Sequence, residues 1–308
     1  MNWLKMCRRC IELLVILLFC SLPWLNRHGI ESLKGSLFAF DFFHIPFADP
    51  ATALQALAGG AYIGNWPLAT VCVGALAALF IAFFLGRIFC GWLCPYGFFS
   101  EIIYHLRQKF PFRVPEIYPL MAKFPELFPL SLALSFSLKG LVLVLGLAAI
   151  FFFAFPFIML ISMPGELSLL PLIVWQASGF ASLISSLLLP LGALIAEFIF
   201  GKRLWCRYVC PQSIMLGLFS WAIPKGAPGL RIAWRPKKCA CDKISPCRQA
   251  CTLDLNPRQI FGPSRRDCMM CGDCVSTCQR YGQALEWSLK HERPKRKVHK
   301  HKTYDFKV

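Results

Sequence analysis

Four stretches of the chain stay apolar long enough to suggest membrane-crossing helices, which need about twenty such residues. The first covers roughly residues 11–25 and carries Glu12 near its start. The second, 67–85, and the third, 141–163, hold no charge. The fourth, 180–200, holds Glu197 near its end. Residues 127–138 are apolar but too short to cross, and are expected at the interface or as the start of the third span. After residue 200 the long apolar runs cease and the chain becomes polar and basic, a break that marks a domain boundary.

Between the first two spans, Asp49-Pro50-Ala51-Thr52 reads as a capped helix start with proline in the first turn, and Gly59-Gly60 as its stop. That helix is apolar enough to lie on the membrane surface. Lys5, Arg8 and Arg9 precede the first span as they would in a signal peptide. The exit, Pro23-Trp24-Leu25-Asn26, offers no small-x-small cleavage site, so an uncleaved anchor is expected.

Composition agrees: of 308 residues 56% are hydrophobic, above the share usual in soluble domains. The net charge of +17 invites nucleic acid as a partner. No stacking platform or recognition motif accompanies it, and none is expected to bind. Lysine and arginine instead gather on the cytoplasmic side of spans and near anionic lipid. Residues 26–65 hold only Arg27 and Lys34, the loop after Met163 holds none, and residues 86–139 and 201–308 hold most of the rest. Both termini are therefore expected in the cytoplasm of a multi-pass inner-membrane protein, with 26–65 outside.

The two halves repeat. Arg87-Ile88-Phe89-Cys90-Gly91-Trp92-Leu93-Cys94-Pro95 follows the second span, and Arg203-Leu204-Trp205-Cys206-Arg207-Tyr208-Val209-Cys210-Pro211 follows the fourth. Repeated membrane halves tend to build a shared site at their interface. Cys90, Cys94, Cys206 and Cys210 are expected to converge as a shared redox or metal site, binding a metal or cluster or cycling as dithiols. The plainer alternative is small buried apolar side chains at helix ends.

Twelve of the sixteen cysteines fall in tight groups; Cys7, Cys10, Cys20 and Cys72 stand apart. Cys268-x2-Cys271-x2-Cys274-x3-Cys278 has the spacing of a 4Fe–4S ligand run, whose fourth cysteine serves the neighbouring cluster in two-cluster ferredoxins. Zinc is the alternative, but zinc motifs pair their cysteines across a gap. Upstream lies Cys239-x-Cys241-x5-Cys247-x3-Cys251. Crossed ligation gives one cluster Cys268, Cys271, Cys274 and Cys251, and the other Cys239, Cys241, Cys247 and Cys278. In the second set the Cys-x-Cys step is cramped, so a degenerate site beside one intact cluster is the alternative. Neither Cys251 nor Cys278 is followed by the proline common in such runs.

Arg87 and Arg203 are expected as interface charges that pair or snorkel; a proton path with Glu12 and Glu197 is the sharper alternative. Asp41 and His44 suit a solvated loop or a proton acceptor. Cys7 and Cys10 are expected as free thiols.

The domain reading is a basic cytoplasmic N-terminus (1–10), a four-span membrane domain (11–215), a linker (216–238), a ferredoxin-like 4Fe–4S domain (239–288) and a disordered basic tail (289–308). In fold class this is an all-α membrane domain of four transmembrane helices built as two parallel repeats, followed by a small ferredoxin-like (α+β) two-cluster cytoplasmic domain.

The four spans, the paired Cys-x3-Cys-Pro motifs and the C-terminal cysteine segment together resemble the NapH/MauN family of membrane ferredoxin-type proteins, over about residues 10–285. The Asp49-Pro50…Leu54-Gln55 stretch is similar to that family too. The resemblance implies a quinol dehydrogenase component with two 4Fe–4S clusters. Electrons from quinol would pass to a periplasmic ferredoxin-type or cytochrome partner, in a nitrate-respiratory or methylamine-utilisation system. The irregular spacing of Cys239–Cys251 departs from the family. The rival readings are a membrane-anchored maturation factor handling a partner's metal or thiols, and a redox sensor.

Overall fold

The computed structural model describes residues 3–28, 33–35, 39–42, 45–59, 68–110, 127–153, 157–175, 180–222, 228–239, 241, 245–260, 263–280 and 283–289. His44 and the tail from residue 290 lie outside these, as does the side chain of Asp41.

Helices dominate. α1 (Trp3–Arg27) contains the first expected span. A three-stranded antiparallel sheet follows, β1 (Leu33–Gly35), β2 (Ala39–Phe42) and β3 (Ile45–Ala48), in that order. The apolar pattern gave no sign of it. α2 (Pro50–Gly59) starts where the sequence placed it: Asp49 Oδ2 accepts from the backbone N–H of Ala51 at 2.9 Å and of Thr52 at 3.2 Å. It does not lie on a surface, however. Ala51, Ala53 and Ala56 are buried, and once α3 (Leu68–Leu85), α6 (Leu127–Phe153) and α7 (Phe157–Ile161) are in place, α2 packs against all three. Its small side chains let it enter the bundle, which an amphipathic surface helix would not do.

Two more helices precede α6: α4 (Ile88–Trp92) and α5 (Pro95–Lys109). The third expected span is shifted. α6 begins fourteen residues before residue 141 and ends at Phe153, because Lys139, which interrupts the apolar run, is neutralised by Asp267 at 2.9 Å instead of reaching for water. The stretch after Met163, expected as a short loop, is a thirteen-residue helix, α8 (Met163–Trp175). α9 (Phe180–Phe200) matches the fourth expected span. Among the described residues, two helices are long and apolar enough to cross a membrane, Leu132–Phe153 within α6 and Ala181–Phe200 within α9. Phe151, Phe152, Phe153 and Leu188 point outward from them, each more than 70% exposed, as side chains facing lipid would.

α3 and α9 stop alike. Gly86 and Gly201 take φ of 71° and 66°, the left-handed cap that glycine adopts without strain, and donate to Ala82 O and Glu197 O. Each is followed by the cysteine motif. In the first, Cys94 N–H donates to Phe89 O at 3.0 Å; in the second, Cys210 N–H donates to Trp205 O at 3.0 Å across a π-turn, Trp205–Val209. In both halves the same wide i→i−5 turn is closed by the backbone carbonyl of the residue five positions before the second cysteine. Proline then opens α5 in one half and α10 (Pro211–Trp221) in the other, where the missing N–H does no harm.

The cysteine-rich segment is small and mixed. β4 (Arg231–Trp234) pairs antiparallel with β5 (Leu285–Ser288), Ile232 opposite Trp287. β4 thus comes from the stretch expected as a linker. Between the strands lie α11 (Pro246–Gln249), α12 (Pro263–Asp267) and α13 (Asp273–Cys278). This segment shares one core with the bundle: Met269 and Met270 are buried in the same cluster as Leu132, Met163 and Ala193.

Candidate functional site

Twelve cysteines gather into three groups of four. Cys239, Cys241, Cys247 and Cys278 line one cavity with Trp234 and Arg258. Cys251 stands against the run at Cys268–Cys274: burial first, then the neighbouring Cys271, Cys268 and Cys251, hold the Cys274 thiol far above its ordinary range. Burial likewise pushes the Cys268 thiol up to about 12, with Cys251 adding to the effect. Cys90, Cys94, Cys206 and Cys210 line a third cavity together with Arg87, Trp205 and Gln212. Cys94, Cys206 and Cys210 are buried there, and Cys90 is half-buried.

Among the described residues, no three of His, Cys, Asp or Glu come close enough to hold a single metal ion. The thiols instead line two small cavities of like size, one around Cys239 and one around Cys206. Thiolates set around a space rather than a point are the donor set of an iron–sulfur cluster, whose corners keep its ligands apart, and fit zinc poorly. Cys7 is half-buried and Cys10 exposed; both are free thiols.

The sites are held in place by buried charge. Asp267, the residue before Cys268, accepts from Lys139 Nζ and Ser135 Oγ, each at 2.9 Å, while Arg87 Nη1 donates to its carbonyl at 3.1 Å. Glu101 of α5 accepts from Arg8 Nη2 at 2.6 Å, Arg9 Nη2 at 2.7 Å and Arg203 Nη2 at 3.2 Å. Arg8 also donates to Cys271 O at 3.0 Å and Asp273 at 3.2 Å, so one guanidinium joins α1, α5 and the cysteine run. Burial alone would raise the Glu101 carboxyl. The His105 hydrogen bond and the guanidinium groups of Arg203, Arg8 and Arg9 outweigh it and bring it down to about 2.

Arg87 and Arg203 are therefore paired, as expected, but with Asp267 and Glu101. Glu12 pairs with Arg9 at 3.3 Å, and Glu197 accepts from Ser100 Oγ at 2.5 Å and Trp205 N at 3.2 Å. Sequence reading missed Glu101, Asp267, Asp273 and Lys139 as partners. Two signals were available: a lone lysine in an apolar run, and an aspartate directly before the Cys268 run.

The first motif touches the cysteine run directly. Trp92 Nε1 donates to Met270 O at 3.0 Å, and a Cβ on Gly91 would stand 2.5 Å from Met269 O and 3.4 Å from Cys271 Cα. The four-thiol cavity and the Cys268–Cys274 run share a wall one residue thick.

The 4Fe-4S binding domain family matches residues 67–113 and 183–231, the two stretches that carry the Cys-x3-Cys-Pro turns. The ferredoxin-type protein NapH of Escherichia coli is 24% identical over 288 residues, 90% of this chain and 86% of that protein. The methylamine utilization ferredoxin-type protein MauN of Methylobacillus flagellatus is 34% identical over 110 residues, 35% of this chain and 36% of that one. The regulatory protein NosR of Pseudomonas aeruginosa is 28% identical over 194 residues, 62% of this chain and 23% of NosR. No solved structure matches. The chain carries the 4Fe-4S binding domain in two regions and is a relative of the NapH and MauN ferredoxin-type proteins.

Proposed function

We propose that this chain is a membrane iron–sulfur protein that oxidises quinol and exchanges its electrons with a periplasmic ferredoxin-type or cytochrome partner. One 4Fe–4S cluster is held by Cys251, Cys268, Cys271 and Cys274, and a second by Cys239, Cys241, Cys247 and Cys278. When bound, such clusters take and release one electron at a time. Cys90, Cys94, Cys206 and Cys210 form a shared redox site between two parallel membrane halves. α1, α3, α6 and α9 cross the inner membrane, with both termini cytoplasmic, and the outward apolar side chains meet lipid. Nucleic acid is not a partner.

The observation that carries this reading is the grouping of twelve cysteines into three sets of four. The surrounding residues bind and orient. Arg8 and Trp92 fix the carbonyls of Cys271 and Met270, and the apolar lining from Leu132, Met163 and Ala193 keeps water from the sulfurs. Burial speaks against the maturation reading, because a working dithiol needs an exposed, easily ionised thiol.

The test is EPR on anaerobically purified protein before and after a reduced quinol analogue is added. Reduction of cubane signals by quinol supports the assignment. Clusters that dithionite reduces and quinol does not would transfer it to maturation or sensing.

A further inference from the structure

We infer that the chamber of Cys90, Cys94, Cys206 and Cys210 holds a third 4Fe–4S cluster, shared between the two halves. The inference rests on the membrane electron-transfer reading above and extends it.

Stoichiometry comes first. Each stretch matched by the 4Fe-4S binding domain family brings one Cys-x3-Cys pair, whereas a cubane takes four thiolates. The fold supplies the missing half: the two pairs face one chamber, about as large as the one around Cys239 and Cys278.

Polarity agrees. The Nε1–H of Trp205, a residue lining the chamber, is buried and has no hydrogen-bond partner among the described residues. Unpartnered buried polar groups are costly unless something completes them, and an N–H aimed at cluster sulfur does so while tuning the potential. Charge agrees as well. A four-thiolate cluster is anionic, and Arg87 interacts with Cys90 and Cys206, Arg203 with Cys206. These arginines occupy the same place in both motifs, three residues before the first cysteine.

The chamber lies at the ends of two spans: its motifs follow α3 and α9 directly, and the Trp205 backbone N–H donates to Glu197 of α9 at 3.2 Å. It also abuts the Cys268–Cys274 run through Gly91. Bound there, a cluster would exchange one electron at a time, and Gly91 would set it beside the Cys268–Cys274 group.

The test is an iron and acid-labile sulfide count with Mössbauer and EPR spectra on the anaerobically purified full chain. Wild type is expected to hold about twelve irons, and Cys206→Ser/Cys210→Ser about eight. About eight irons in wild type, unchanged in the double variant, would overturn the inference, as would a 2Fe–2S spectrum or zinc in the chamber. Trp205→Phe keeps the thiols and removes one N–H. It is expected to keep the full count while moving the EPR signal of one cluster only, and an unmoved spectrum counts against the site. The two readings fail separately: eight irons retained in the double variant but unreduced by quinol in wild type would sink the quinol reading alone.

Discussion

Lys139 Nζ stands 2.9 Å from Asp267 Oδ1, both side chains 2% exposed, one on an apolar helix and the other directly before Cys268. The pair closes the membrane bundle onto the cysteine segment. Removing one member of a buried pair leaves the other charge stranded, which costs about 3–5 kcal/mol. Lys139→Met is expected to destabilise the docked segment by about that amount, read as faster limited proteolysis between residues 228 and 289. Lys139→Met/Asp267→Asn removes both charges of the pair but takes from Arg87 its carboxylate, so it should recover only part of the loss. A double variant no better than the single one would mean that the pair does not hold the segment.

Glu101 anchors α1 through Arg8 and Arg9, and the second motif through Arg203. Glu101→Gln keeps the shape and removes the charge, leaving three guanidinium groups with Glu12 and Asp273 alone. About 3 kcal/mol is expected to be lost, seen as early cleavage within residues 3–27. A carboxyl held down to about 2 stabilises the fold fully above its ordinary value of 4.5 and ceases to as pH falls toward 2. Pepsin cleavage of wild type and variant should therefore differ near pH 5 and converge near pH 2. An equal gap at both ends would exclude the charge as the cause.

What the sequence made legible was periodic or local. The Asp49 cap, the glycine before each motif and the cysteine spacings are written within a few residues of one another. Lys139 and Asp267 are 128 residues apart, and nothing near either names the other. The third span was misplaced for the same reason: a lysine reads as a boundary until its partner is known. α8 escaped because Glu166 and Pro171 break its apolar run, and β4 because four residues pair with a strand more than fifty residues away.

Gly91 has no room for a side chain. An alanine there would put its Cβ 2.5 Å from Met269 O, backbone that cannot turn aside. Gly91→Ala is expected to shift the EPR signal of the cluster on Cys268–Cys274 and leave that on Cys239–Cys247 unmoved, since only the first shares this wall. Overpacking of this kind costs about 1–3 kcal/mol, so the variant should still fold. Equal perturbation of both signals would mean that the motif does not contact one site selectively.

Crossed ligation predicts an exchange that sequence proximity does not. Cys251 lies four residues after Cys247, yet it faces Cys268, Cys271 and Cys274; Cys278 lies four residues after Cys274, yet it lines the cavity of Cys239, Cys241 and Cys247. Cys251→Ser is therefore expected to damage the cluster on the Cys268 run, and Cys278→Ser the one on the Cys239 group. The readout is Mössbauer and EPR spectra of each variant beside Cys271→Ser and Cys241→Ser as references. Cys251→Ser should resemble Cys271→Ser, and Cys278→Ser should resemble Cys241→Ser. The opposite pairing would mean that each run closes its own cluster. The cramped Cys239-x-Cys241 step adds a finer expectation. Cys239→Ser should lose the same signal as Cys241→Ser, because both cysteines line the same cavity. A Cys239→Ser protein with its full iron count would remove Cys239 from the ligand set.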